Sequence, residues 1–276
     1  NSCNQCNECS SKKEFLCSKA EFTCCGRQGG FAEYISVNKH FVIPIPRVLD
    51  HKQVPPLLCG GMTAFKPLYE NFGKANRVGI VGFGGIGTLA LQFAKYMYDS
   101  VTVISRTNAK KQVAIDCGAT DYVLIDELDE NHQFDFVVIC ANGNVDLNAV
   151  IPHMRPSGKI CLLGSWSSDT SLSKESMELA IEKEISVTGT NTGSPTMYQT
   201  LFAFVIKHGI QIDVEIKQPP DLGDVLRTLR DTSPAKRYVI EMTPDDILSD
   251  EAVVIGKNNY DDAICYKYRD PVYGIR

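Results

Sequence analysis

No stretch of this 276-residue sequence approaches the ~20 consecutive apolar residues that a membrane-crossing helix needs. No secretory leader is visible at its start. Internal repeats and low-complexity tracts are absent, which sets aside repeat arrays and compositionally biased linkers. A basic surplus is missing too: the net charge is -5, which argues against a general nucleic-acid binder. The eleven cysteines are odd in number, and Cys117, Cys140 and Cys161 lie in apolar stretches. That is not the pattern of a disulfide framework, and a reducing cytoplasm fits better. The first residue is Asn1 rather than Met, and the opening residues already belong to a motif. The sequence therefore reads as a piece of a longer protein.

What is present centres on residues 77–106. An apolar run, Val78 to Val81, meets Gly82, Gly84 and Gly87 at G-x-G-x-x-G spacing. Ile86, Leu89, Ala90, Phe93, Ala94 and Met97 then recur at helical intervals. A second apolar run, Val101 to Ile104, ends at Ser105-Arg106. Strand, glycine turn, helix and strand in this order are the setting that makes the motif informative. Gly82 allows the tight turn, Gly84 leaves no Cβ in the way of a pyrophosphate, and Gly87 lets the helix pack on the sheet. The helix start, with its free N–H groups and positive dipole end, suits a diphosphate. A glycine-rich turn that binds nothing is the alternative. Where NAD binders place Asp or Glu, this sequence has Ser105, then Arg106, with Lys110 and Lys111 behind. A hydroxyl with two cations suits a 2′-phosphate, so NADP(H) is the expected dinucleotide. A solvated basic helix start is the plainer reading.

Cys3, Cys6, Cys9 and Cys17 form C-x2-C-x2-C-x7-C. Four thiolates so close in sequence suit a closed, structural tetrahedral zinc site. Surface cysteines, or two disulfides, are the alternatives. Cys24 and Cys25 fall outside the spacing and are expected not to be ligands; His40 and His51 read as surface or turn residues. Residues 29–37 (GGFAEYISV) suit a strand, and Val54 to Tyr69 suits a helix with Pro55-Pro56 at its start. Cys59, within that helix, is by chemistry alone a small buried hydrophobe.

Taken together, the four-cysteine lobe, GGFAEY, LLCGGMTAFKPL, GFGGIG and SRTNAKK resemble the zinc-containing medium-chain alcohol dehydrogenases. The likeness is strongest to their NADP-dependent, cinnamyl-alcohol-dehydrogenase-like branch and runs from Cys3 to about Met242. It implies an α/β fold: a doubly wound parallel Rossmann sheet plus the remnant of a GroES-like β catalytic domain. The implied division is 1–57 for a partial catalytic domain with the zinc lobe, 58–193 for NADP binding, 194–243 for the return to the catalytic domain, and 244–276 for a tail outside the family pattern.

The resemblance also implies residue roles. Cys3, Cys6, Cys9 and Cys17 match structural-zinc ligands, and Cys59 the last catalytic-zinc ligand. Thr63, Gly82, Gly84, Gly85, Ile86, Gly87, Cys140, Gly164, Thr190, Asn191 and Thr192 match cofactor positions; Ser105, Arg106 and Lys110 match the 2′-phosphate contacts. The family's other catalytic-zinc ligands, a Cys and a His in Gly-His-Glu, precede the lobe, and no Gly-His-Glu occurs in this sequence. The implied reaction is hydride transfer between NADP(H) and a small-molecule primary alcohol or aldehyde, in a homodimer without membrane or nucleic-acid partners. The alternative is a catalytically inactive NADP(H)- and zinc-binding piece. Further along, helices are expected at 108–117, 146–154, 174–184, 197–207 and 221–230. Strands are expected at 121–125, 134–140, 159–163, 185–189 and 236–242, with a turn at Ser157-Gly158.

Overall fold

The apolar runs at 78–81, 101–104 and 134–139 pair side by side because each is too apolar to face water on either side. The computed structural model describes residues 1–23, 25, 34–143, 145–164, 171–232, 234, 237–241, 263–267 and 272–274. The expectations placed on Cys24, on residues 29–33 and on most of the tail lie outside them. In chain order the elements are α1 (Asn7–Ser10), β1 (Tyr34–Asn38), α2 (Met62–Asn71), β2 (Arg77–Val81), α3 (Gly85–Ala94) and β3 (Ser100–Ser105). Next come α4 (Lys111–Asp116), β4 (Asp121–Leu124), β5 (Phe134–Ile139), β6 (Met154–Leu162), α5 (Lys174–Glu182) and β7 (Ser186–Gly189). The chain ends with α6 (Pro195–His208), β8 (Val214–Lys217), α7 (Leu222–Asp231), β9 (Arg237–Glu241), β10 (Ala263–Lys267) and β11 (Val272–Gly274).

These elements sort into two units. Unit 1 comprises residues 1–59, 192–232 and 237–276; unit 2 comprises 60–191 and 233–236. Unit 2 is built on a six-stranded parallel sheet in the order β4-β3-β2-β5-β6-β7. Val78, Ile80, Val103, Ile104, Val137, Val138 and Ile139 are buried in it, each such side chain contributing about 1.5–3 kcal/mol. Strand order reverses between β2 and β5. That switch point is where a crevice opens at the carboxyl ends of the strands in doubly wound sheets.

Unit 1 holds a two-stranded antiparallel pair, β1-β10, and a three-stranded sheet, β11-β9-β8. Gln53 joins its separated segments. Its amide donates to Gln211 Oε1 at 3.0 Å, and its own oxygen accepts from Ile212 N at 2.8 Å.

Three local expectations are corrected. Residues 146–154 form two 3₁₀ turns, Leu147–Ala149 and Ile151–His153, not one helix. Pro152 lacks the N–H a helix needs and disfavours helical geometry at Ile151; Asp146 caps only its own short turn, accepting from Asn148 N at 2.9 Å. The turn at Ser157-Gly158 lies inside β6, which begins at Met154. Ser157 has φ 59° and its N–H reaches Lys183 O, while the register with β5 shifts between Phe134 and Phe136. Leu57–Gly61, expected as α-helix, is a π-helical turn leading into α2. No helix among the described residues is long and apolar enough to cross a membrane.

Candidate functional site

In unit 2 the glycine turn lies against the loop after β5. Gly82 has φ +89°, and a Cβ there would stand 2.7 Å from the Cβ of Ala141. A Cβ on Gly87 would stand 2.0 Å from Gly82 O, so the start of α3 sits directly on the turn. Gly164, just beyond β6, is packed as closely: a Cβ there would lie 2.1 Å from Ala141 O and 3.0 Å from Asn142 Oδ1. The carboxyl ends of β2, β5 and β6 thus pack closely through these three glycines beside the switch point. Gly84 precedes α3 with extended backbone and Gly85 begins it; Gly84, Gly85 and Ile86 are half-buried. This is a cradle of backbone N–H groups at a helix start, which fits a diphosphate.

Cys140 follows β5 and is buried behind the turn, 3.7 Å from where a Gly87 Cβ would be. Burial first, and the neighbouring Cys161 second, push its thiol up, so it stays a neutral packing group.

Ser105 ends β3 half-buried and Arg106 is exposed. The phenol of Tyr122 donates to Thr107 O at 2.6 Å and anchors this loop. Lys110 Nζ donates to Phe83 O at 3.0 Å, which draws its cation onto the glycine turn; partial burial lowers its pKa. The structure therefore brings Gly82, Gly84, Gly87, Cys140, Gly164 and Lys110 to one end of one sheet. Thr190 joins that end by donating its N–H to Leu162 O at 3.1 Å, and Asn191 follows it, exposed. Thr63 is half-buried on α2.

Cys59 and Thr192 belong to unit 1. Cys59 is half-buried in the π-helical turn, a geometry that recurs at functional sites. Residues passed over in the sequence also appear here. Asn142 faces Gly164, and the phenol of Tyr198 reaches Leu58 O at 2.7 Å. Neither lies in a motif; each is placed by the chain's return from a distant element.

The four cysteines of the lobe converge. Their sulfurs all lie within 4.8 Å of one another, with Cys6–Cys9 and Cys3–Cys17 at 3.5 Å and Cys3–Cys9 at 3.9 Å. A tetrahedral ion with Zn–S bonds near 2.3 Å sets its sulfurs roughly 3.8 Å apart, so the donor set fits zinc. Local N–H groups favour thiolate here. The backbone of Gln5, then that of Cys6, holds Cys3 down to about 6; the Ser2 hydroxyl lowers Cys9; and Lys19 N donates to Cys17 Sγ at 3.4 Å. At Cys6 the Cys9 N–H pulls the same way, but Glu8, burial and the neighbouring thiols outweigh it and push Cys6 up to about 12. Like charges this close resist joint ionisation, and a bound cation reverses that resistance. Cys25 is exposed.

A profile of zinc-binding dehydrogenases matches residues 85–207. NADP-dependent alcohol dehydrogenase 6 of Saccharomyces cerevisiae is 33% identical over 229 residues, covering 78% of this chain and 63% of that protein. The chain thus spans under two thirds of that relative's length. A probable cinnamyl alcohol dehydrogenase 6 of Arabidopsis thaliana is 28% identical over 257 residues, covering 88% of this chain and 70% of its own. Among solved structures, a cinnamyl alcohol dehydrogenase (CAD) of Helicobacter pylori complexed with NADP(H) superposes with a TM-score of 0.79 at 28% identity, over 87% of this chain and 72% of that one. One from Sorghum bicolor, at 24% identity and a TM-score of 0.78, shares the fold.

Proposed function

We propose that this chain belongs with the zinc-containing medium-chain alcohol dehydrogenases it resembles, and that it is part of an NADP(H)-dependent enzyme interconverting a primary alcohol and its aldehyde. Unit 2 is read as the nucleotide domain and unit 1 as a portion of the catalytic domain with its zinc lobe. One observation carries the choice of cofactor. β3 ends on Ser105-Arg106 where a carboxylate marks NAD binders, and Lys110 is tied to the glycine turn beside it. Arg106 then offers a planar fork to the 2′-phosphate, Ser105 a hydroxyl and Lys110 a second cation. The N–H groups at Gly84, Gly85, Ile86 and Gly87 hold the diphosphate; Gly164, Thr190, Asn191, Thr192 and Thr63 are assigned to the nicotinamide half by the family pattern, and Cys140 supports the glycine turn from behind. When bound, NADP(H) supplies the hydride chemistry and zinc supplies Lewis acidity toward the substrate oxygen.

Cys3, Cys6, Cys9 and Cys17 hold the structural zinc. Cys59 is the catalytic-zinc ligand this chain contributes. A second reading, binding of NADP(H) and zinc without turnover, is favoured by a specific observation. Among the described residues the four-cysteine lobe is the one cluster of three or more candidate ligands, so Cys59 stands outside any. We place the protein in the cytoplasm as a homodimer. The outer strand β7 offers a partner its open edge, with Val187 43% exposed.

The test is cofactor titration by fluorescence. NADPH binds at least tenfold more tightly than NADH, and Arg106→Asp inverts the preference; equal affinities for the two cofactors overturn the assignment. Turnover of an aldehyde by the zinc-loaded chain separates the two readings: its presence supports the enzyme, its absence the binding piece.

A further inference from the structure

The turn that carries Cys59 is unusual in its backbone. Over Leu57–Gly61 the helix is wound wide, as a π turn. Wide turns space carbonyls away from their ordinary donors, so an outside partner can claim one. At Leu58 that partner is Tyr198. Its phenolic Oη lies 2.7 Å from Leu58 O, although 140 residues separate the two in sequence. Tyr198 sits in the first turn of α6 and is 7% exposed, so water competes little for the contact. A third group completes the chain: Thr192 Oγ1 is 3.0 Å from the same phenolic oxygen.

The proton directions follow from counting. A phenol has one proton to give, and a carbonyl can only accept. Tyr198 therefore donates to Leu58 O, and the Thr192 hydroxyl donates to Tyr198. Burial raises the phenol's pKa, only partly offset by Thr192, and so keeps that proton in place at neutral pH.

We infer that Tyr198 is a positioning residue: its hydroxyl, oriented by Thr192, clamps the Leu58 carbonyl and fixes the π turn that aims Cys59. The inference rests on the reading of Cys59 as a zinc ligand for its meaning, though not for its geometry. Holding a ligand's supporting backbone in one arrangement is what lets a metal site keep its shape.

The test uses the intact chain and three variants. Tyr198→Phe keeps the ring and loses the donor. Thr192→Val loses the orienting hydroxyl, and Thr192→Ser retains it. Two quantities are followed in the chain without cofactor: the rate of Cys59 alkylation by iodoacetamide, mapped by peptide mass, and hydrogen exchange across residues 57–61. In Tyr198→Phe both rise about five- to tenfold, the scale of one lost hydrogen bond, while exchange in β2 stays at the parent rate. Thr192→Val follows in the same direction and Thr192→Ser matches the parent. Parent-like alkylation in Tyr198→Phe overturns the inference, because a purely packing role survives in Phe. Should Tyr198→Phe not fold, equal rates in the two Thr192 variants overturn it instead. NADPH titration of the same samples tests the proposed function separately, since its failure leaves the Cys59 rates readable.

Discussion

At the scale of single residues, Gly87 has no room for one more carbon. A Cβ at 2.0 Å from Gly82 O cannot be absorbed by a side-chain rotation, because the obstacle is backbone. Gly87→Ala is expected to push α3 off the end of β2. It costs about 1–3 kcal/mol of stability, and NADPH affinity falls further than stability does, since the cradle is the part that moves. Thermal melting and NADPH titration of the variant check this. Tyr98 offers a pH prediction. Its phenol is buried and donates to Leu68 O at 2.6 Å, and burial raises its pKa in the folded chain. The folded form keeps the proton longer than the unfolded one, so this contribution is fully present below the unfolded value of about 10 and is lost as pH rises beyond it. Denaturant melts between pH 8 and 11 should show stability falling at the alkaline end. Tyr98→Phe should cost about 1 kcal/mol at neutral pH and flatten that fall.

At the scale of elements, the cysteine lobe is held by its sulfurs more than by its core, for α1 is a single turn of four residues with Cys9 as its one buried side chain. One zinc per chain is expected by elemental analysis under reducing conditions. Chelation or Cys17→Ser should release it and speed exchange across residues 1–20, with β2 unaffected. How legible an element is in the sequence depends on what decides its form. β2, β3 and β5 read clearly because both of their faces are covered and they appear as unbroken apolar runs. β8 carries no such mark: all four of its residues are half-exposed, and pairing with β9 makes it a strand. The π turn is equally silent, since nothing in Leu57-Leu58-Cys59 distinguishes it locally from an α-helix. In the candidate site the glycines were legible because their spacing encodes backbone shape, and the cysteines because their short spacing keeps four sulfurs within reach of one another. Asn142 and Tyr198 were not, because distant segments put them where they matter. The breakdown of the expected 146–154 helix is readable in Pro152, which lacks the N–H that a continuous helix needs there.

At the scale of the whole molecule, the two units are woven differently into the chain. Nearly all of unit 2 is one continuous stretch, residues 60–191, whereas unit 1 is assembled from residues 1–59, 192–232 and 237–276. This has a consequence in time. During synthesis from the N-terminus every strand of the six-stranded sheet has emerged once residue 189 is made, but β8 and β9 do not yet exist. Gln53 must then wait for Gln211 and Ile212, and the Leu58 carbonyl for Tyr198. Closing so long a loop is entropically dear until unit 2 has drawn its ends together. Pulsed hydrogen exchange during refolding should therefore find β2, β3 and β5 protected first, and β8 and β9 later. Simultaneous protection would mean that the sheet does not lead. On this order the glycine turn matures while Cys59 is still unanchored, so NADPH, the proposed cofactor, should bind a refolding chain before residues 57–61 are set.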